Sequence, residues 1–233
     1  MQKRRFLLFG SIIILAILVR VTPYVLDKLG MTDVRQVAAF LWNFSPITAL
    51  FLFGGAQFAQ RRWAYPAPLV AIFISDVTIG ILLKDMSQGL HPIIPAIYGS
   101  YLVIVWLGTQ LRKMQEKLSS TAERPAVAAP GQRWRAELLF LLAVAGSGIA
   151  GEFVFFVVTN FATWVVQTGY YPHTADGLIQ CYVAAIPFFK HAVTSTPVFA
   201  VALFGGSALA ESWFPALKQN SLVPAETKQS VTA

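Results

Sequence analysis

The chain has 233 residues, 56% of them hydrophobic and only 12% charged, with a formal net charge of +7. An ordinary soluble domain carries roughly 25% charged residues, so the composition argues against a water-soluble globule. It also argues against nucleic-acid binding, because the basic residues fall between apolar runs and not along one face. The single cysteine, Cys181, excludes an internal disulfide framework and a multi-cysteine zinc site.

A helix needs about 20 mostly apolar residues to cross the hydrocarbon core of a membrane. Six segments are expected to do so, making an all-α integral membrane protein with a bundle of about six transmembrane helices. The first runs from Phe6 to about Leu26, behind Lys3, Arg4 and Arg5. It also has the layout of a signal peptide, but no small-residue cleavage site follows, and an uncleaved span is the better reading. Arg20 inside it is expected to snorkel to the far interface. The second segment is about Phe44 to Ala59, starting as early as Phe40. The third is Tyr65–Leu83, the fourth Ile93–Leu111, the fifth Glu137–Val158 and the sixth His191–Ala210.

Basic residues test this count. With the start inside, thirteen of the 18 lysines and arginines fall on the cytoplasmic side, and Arg20, Lys28, Arg35, Lys84 and Lys190 fall outside. A wrong number of spans would scramble that bias, so it supports an inner-membrane protein with both termini cytoplasmic. Residues 114–135, rich in Ser, Ala, Pro and charge, read as a cytoplasmic linker inside one membrane domain covering residues 1–213. Residues 214–233 read as a disordered tail.

Leu178–Lys190 is apolar but too short to cross, and Pro187 is expected to break or kink it. It reads as an interfacial helix, a re-entrant element or the bent outer part of the sixth span. Leu52-Phe53-Gly54-Gly55 and Leu203-Phe204-Gly205-Gly206 echo each other. Small-residue packing explains the echo better than a true repeat.

Asp76 is the most informative side chain. It lies about 11 residues, or roughly 16 Å, into the third span. A carboxylate there must face the bundle interior, be paired or be protonated. It reads either as a solute or cation contact or as a structural hydrogen bond to a neighbouring Ser or Tyr. Glu152 follows the run Gly146-Ser147-Gly148-Ile149-Ala150-Gly151 and reads equally as a cavity-lining group; Asn160 follows at the outer end of that span. His91, His173 and His191 share the outer side with Asp85 and Asp176, a donor set that suits zinc or nickel, but no pair has the spacing of a metal motif. Outer aromatics such as Tyr98, Trp164, Tyr171 and Tyr182 form an interfacial belt, from which a ligand pocket can recruit a few. Cys181 and His173 suggest a nucleophile and base with no third partner. No phosphate-binding loop occurs, so the chain is not expected to hydrolyse ATP.

Several segments occur in a recognisable order: Asn43-Phe44-Ser45-Pro46-Ile47; Ser75-Asp76 with Gly80; His91-Pro92 with Tyr98; Asn160-Phe161 with Trp164; Tyr171-Pro172; and Cys181-Tyr182 with Ile186-Pro187-Phe188-Phe189. Over roughly residues 40–206 this order resembles the bacterial domain-of-unknown-function family numbered 6580, described as transport proteins. The family pattern often carries an acidic residue after the last motif, where Thr196 stands here. That family in turn looks similar to the S components of energy-coupling-factor transporters. The likeness implies a six-helix subunit that captures a vitamin-like solute or an ion from outside. It also implies partnership with a transmembrane coupling subunit and ATPases, besides membrane lipid, and no cofactor of its own. Nickel and cobalt S components carry a histidine at position two; Gln2 stands here, which disfavours that subclass.

Three functions compete. The first is a solute-binding transport subunit, not an enzyme, using Asp76, Glu152, Asn160, Asn43, His91, Tyr98, Trp164, Tyr171, His173 and Tyr182. The second is an intramembrane enzyme built on Cys181, His173 or the carboxylates. The third is a structural or assembly protein whose polar residues only hold helices together. The transport reading is preferred, because the motif-bearing segments gather at the outer side.

Overall fold

The computed structural model describes residues 2–30, 46–57, 64–122, 132–166 and 169–214. These residues are almost entirely helical. They form α1 (Gln2–Lys28), α2 (Ile47–Gln57), α3 (Pro66–Leu83), the single turn α4 (Met86–Gly89), α5 (Ile94–Ala122), α6 (Gln132–Val166) and α7 (Ala175–Trp213). Each of the six expected apolar segments has a counterpart among the six longer helices. Four stretches are long and apolar enough to cross a membrane: α3, Met86–Leu118, Trp134–Val166 and α7. α2 is apolar but has only 11 residues.

The centre of the molecule is α2. Ten of its eleven residues are buried, and it packs against α1, α3, α5, α6 and α7. A helix that is apolar all round belongs in an interior. Phe51 stacks on Tyr101 of α5 at 4.3 Å between ring centroids, and Phe53 meets Phe204 of α7 edge-on at 5.1 Å. Ile72, Ile104, Val105 and Val144 complete the core from α3, α5 and α6.

Helices consecutive in the chain alternate in direction. α6 and α7 run antiparallel, with Phe156 against Phe189 near one end and Phe140 against Phe204 near the other. Lys28 at the end of α1 donates to the Leu82 carbonyl at the end of α3, so those two helices point the same way. The C-termini of α1 and α3, the start of α5 and the α6–α7 turn therefore share one end of the bundle.

Outward faces are apolar. Phe73 and Ile74 on α3, Trp106 on α5, Leu142 and Phe153 on α6 and Val198 on α7 are all exposed, while Ser75, Asp76, Glu152 and Thr196 are buried. This inverts the pattern of a water-soluble bundle, in which so much exposed apolar surface is an aggregation liability.

Two expectations change. Of the three readings of Leu178–Lys190 the sixth-span one holds, since the stretch is the first part of α7 and continuous with His191–Ala210; the break expected at Pro187 does not occur, and α7 stays helical through Pro187 and Pro197. Each proline removes one helical donor, but contacts such as Phe156 with Phe189 keep the helix running. The linker expected at 114–135 is shorter, because α5 continues to Ala122 and α6 begins at Gln132. An Arg112–Glu116 pair at i,i+4, 2.8 Å apart, supports the extension of α5. Residues 123–131 and the tail beyond 214 lie outside the described residues, as does Asn43.

Candidate functional site

Three helices converge on Asp76. The carboxylate projects from the middle of α3 with 6% of its side chain exposed, and its Oδ1 lies 2.6 Å from Arg20 Nη1 of α1. Its Oδ2 accepts from the Tyr98 hydroxyl of α5 at 2.8 Å. Arg20 Nη1 also donates to the Ser75 hydroxyl, which in turn donates to the Ile72 carbonyl of its own helix at 2.8 Å. The turn α4 closes this cluster from the bundle end. Gly89 sits so near that a Cβ there would collide with the Asp76 carbonyl oxygen.

Arg20 was expected at the interface; it turns inward instead. In apolar surroundings a guanidinium and a carboxylate each cost less paired than alone. About a quarter of the Arg20 side chain, 27%, stays exposed, so the cluster is open on that side. Each residue lies about two turns from the end of its helix, and those ends point the same way, so the two side chains meet at one depth.

A second polar node lies deeper. Glu152 on α6 is 5% exposed, and its Oε1 accepts from the Thr196 hydroxyl of α7 at 2.5 Å. The Thr48 hydroxyl of α2 bonds the same carboxyl group. The small-residue run makes this approach possible: a Cβ on Gly148 would press on Thr196 Cγ2 and one on Gly151 on Ile104. That run does not break α6. Tyr101, buried between the two nodes, is within electrostatic reach of Arg20, Asp76 and Glu152.

The remaining expected residues do not join either node. Asn160 donates to the Phe156 carbonyl one turn back at 2.7 Å, and Cys181 donates its thiol proton to the Asn160 carbonyl. Tyr182 donates to the Val157 carbonyl at 2.8 Å. Trp164 donates its indole N–H to the Pro172 carbonyl at 3.0 Å, and His173 Nε2 lies 2.8 Å from the Trp164 carbonyl. These groups clasp the α6–α7 turn, where Tyr171 is half-buried. Thr174 caps α7 by accepting from Gly177 N–H. His91 lies ahead of α5, its carbonyl accepting from Ile94 N–H. Among the described residues no three His, Cys, Asp or Glu side chains gather as a metal site. Sequence reasoning missed Arg20, Thr48 and the role of Thr196 as partners of the two carboxylates.

The model of a family of unknown function, DUF6580, matches residues 1–217. The chain belongs to this family. The match spans all seven helices, so the two polar nodes and the α6–α7 clasp all lie within the DUF6580 region. No curated protein and no solved structure matches the chain.

Proposed function

We propose that this DUF6580 member is a membrane transport protein of the bacterial inner membrane, with six crossings and both termini in the cytoplasm. In this reading it captures a small solute at the outer end of its bundle. One observation carries the reading: a charged cluster, with Asp76 and Ser75 buried and Arg20 and Tyr98 partly so, lies among helices whose outer faces are apolar. Ionisable residues inside a membrane bundle are costly and mark solute or ion pathways. The part of Arg20 left exposed is the natural contact for a polar or anionic group on the solute. Six helices without a phosphate loop also fit an S-component-like subunit that relies on a coupling subunit and ATPases for energy. No chemistry on the solute is part of this reading.

A structural role has its own support at the α6–α7 turn, where Asn160, Trp164 and Tyr182 are all spent on backbone carbonyls. The two readings separate in a thermal-shift screen of the purified full chain against vitamins, amino acids and metal ions. Transport predicts at least one solute that raises Tm for the wild type and not for a folded Asp76→Asn variant. Equal shifts in both proteins would move the site away from Asp76. No shift with any solute, and no solute retained in a native mass spectrum, would leave the structural role.

A further inference from the structure

The two buried carboxylates are held differently. Asp76 faces a guanidinium, whereas Glu152 faces only hydroxyls: Thr196 of α7 and Thr48 of α2. Among the described residues no cation reaches Glu152. From α5 its titratable neighbour is the Tyr101 phenol, on which Arg20 and Asp76 also act from α1 and α3. The described part of α2 carries no charged residue, and on α7 the nearest, Lys190 and His191, precede Thr196 by more than a turn. Among the described residues no fixed charge therefore balances a negative charge at this position.

We propose that Glu152 is a proton-loading site, which takes up one proton and releases it within the bundle. The hydroxyl partners suit that role where ammonium or guanidinium groups, which only donate, would not. A threonine hydroxyl both donates and accepts. With Glu152 ionised, Thr48 and Thr196 donate to its oxygens. When a proton from water binds, carboxylate becomes carboxylic acid, its O–H donates to one threonine oxygen, and that hydroxyl turns its own hydrogen to a helix carbonyl one turn back. Both states are satisfied without moving a helix. Tyr101, 8% exposed, lies between this node and the Arg20–Asp76 cluster. A change of charge at Glu152 is therefore felt where the solute is proposed to bind.

The test is infrared spectroscopy of the full chain in phosphatidylcholine vesicles, titrated from acid to alkaline pH, which needs no solute. Its outcome is thus independent of the solute reading at Asp76. The expected result is a protonated-carboxyl stretch that comes and goes with pH in the wild type and is missing from Glu152→Gln. Thr196→Val keeps the band and shifts its midpoint by about one pH unit, the scale of one lost hydrogen bond. A band unchanged in Glu152→Gln, or one present at every pH, overturns the proposal. If Glu152→Gln does not fold, an unmoved midpoint in Thr196→Val overturns it instead.

Discussion

Gly55 of α2 and Gly108 of α5 face each other across a helix crossing too close for a Cβ on either. A Cβ on Gly55 would lie 3.1 Å from Gly108 Cα, and one on Gly108 would lie 3.0 Å from Gly55 Cα. Each would also collide with a carbonyl of the opposing helix, Val105 or Leu52. Backbone cannot step aside as a side chain can. Gly108→Ala is therefore expected to lower stability towards the upper end of the roughly 1–3 kcal/mol typical of overpacking. Gly206, with nothing within 4 Å of its missing Cβ, is the control. Denaturation midpoints in detergent would compare them, and an equal response to alanine at both positions would contradict the close crossing.

The Arg20–Asp76 pair is expected to be worth more as a pair than either residue alone. Asp76→Asn leaves a guanidinium facing Ser75 without its counter-charge. The loss should approach, but stay below, the roughly 3–5 kcal/mol of a fully buried broken pair, because 27% of the Arg20 side chain remains exposed. Replacing both, as Arg20→Met with Asp76→Leu, should cost less than the sum of the single changes. A double-mutant cycle by thermal denaturation measures this coupling, and strict additivity would show that the pair does not form.

The α6–α7 clasp should respond in stability and not in binding. Trp164→Phe removes the indole donor to the Pro172 carbonyl, and Tyr182→Phe removes the hydroxyl donor to the Val157 carbonyl. Each should cost about 1 kcal/mol. Amide hydrogen exchange across 169–177 should quicken in the Trp164 variant. Loss of solute binding with unchanged exchange would instead return Trp164 to the binding site.

At the bundle end, Asp85 caps α4 by accepting from the Ser87 hydroxyl at 2.7 Å and the Ser87 N–H at 3.0 Å. The Ser87 hydroxyl, then its backbone N–H, holds this carboxyl below its ordinary value of 3.8. A depressed carboxyl contributes stability that is present above the ordinary value and disappears as pH falls through the lowered one. Carbon NMR of the Asp85 carboxyl should therefore show a midpoint below 3.8, moving up in Ser87→Ala. A midpoint at or above 3.8 in the wild type would mean that the cap is not made.

Hydropathy and charge in the sequence were enough to find the helices, because apolar length is a local property. Tyr65–Leu83 and α3 agree to a residue, Ile93–Leu111 starts one residue ahead of α5, and Glu137–Val158 and His191–Ala210 each lie inside a helix. The sequence also marked Asp76 and Glu152, since any carboxylate deep in an apolar run has to be explained. The resemblance carried by the Asn-Phe, Tyr-Pro and Cys-Tyr motifs led to the right family.

Partnership was decided by the tertiary structure. Arg20 and Asp76 stand 56 positions apart, and Glu152 and Thr196 44; only helix direction and depth make them meet. Which carboxylate receives a cation and which receives hydroxyls is a matter of which helix faces lie together, and no local pattern encodes it. The same holds for the outer motif residues. Asn160, Trp164 and Tyr182, expected as ligand contacts, bond backbone carbonyls, because a turn between two long apolar helices leaves polar groups that its own side chains must bond.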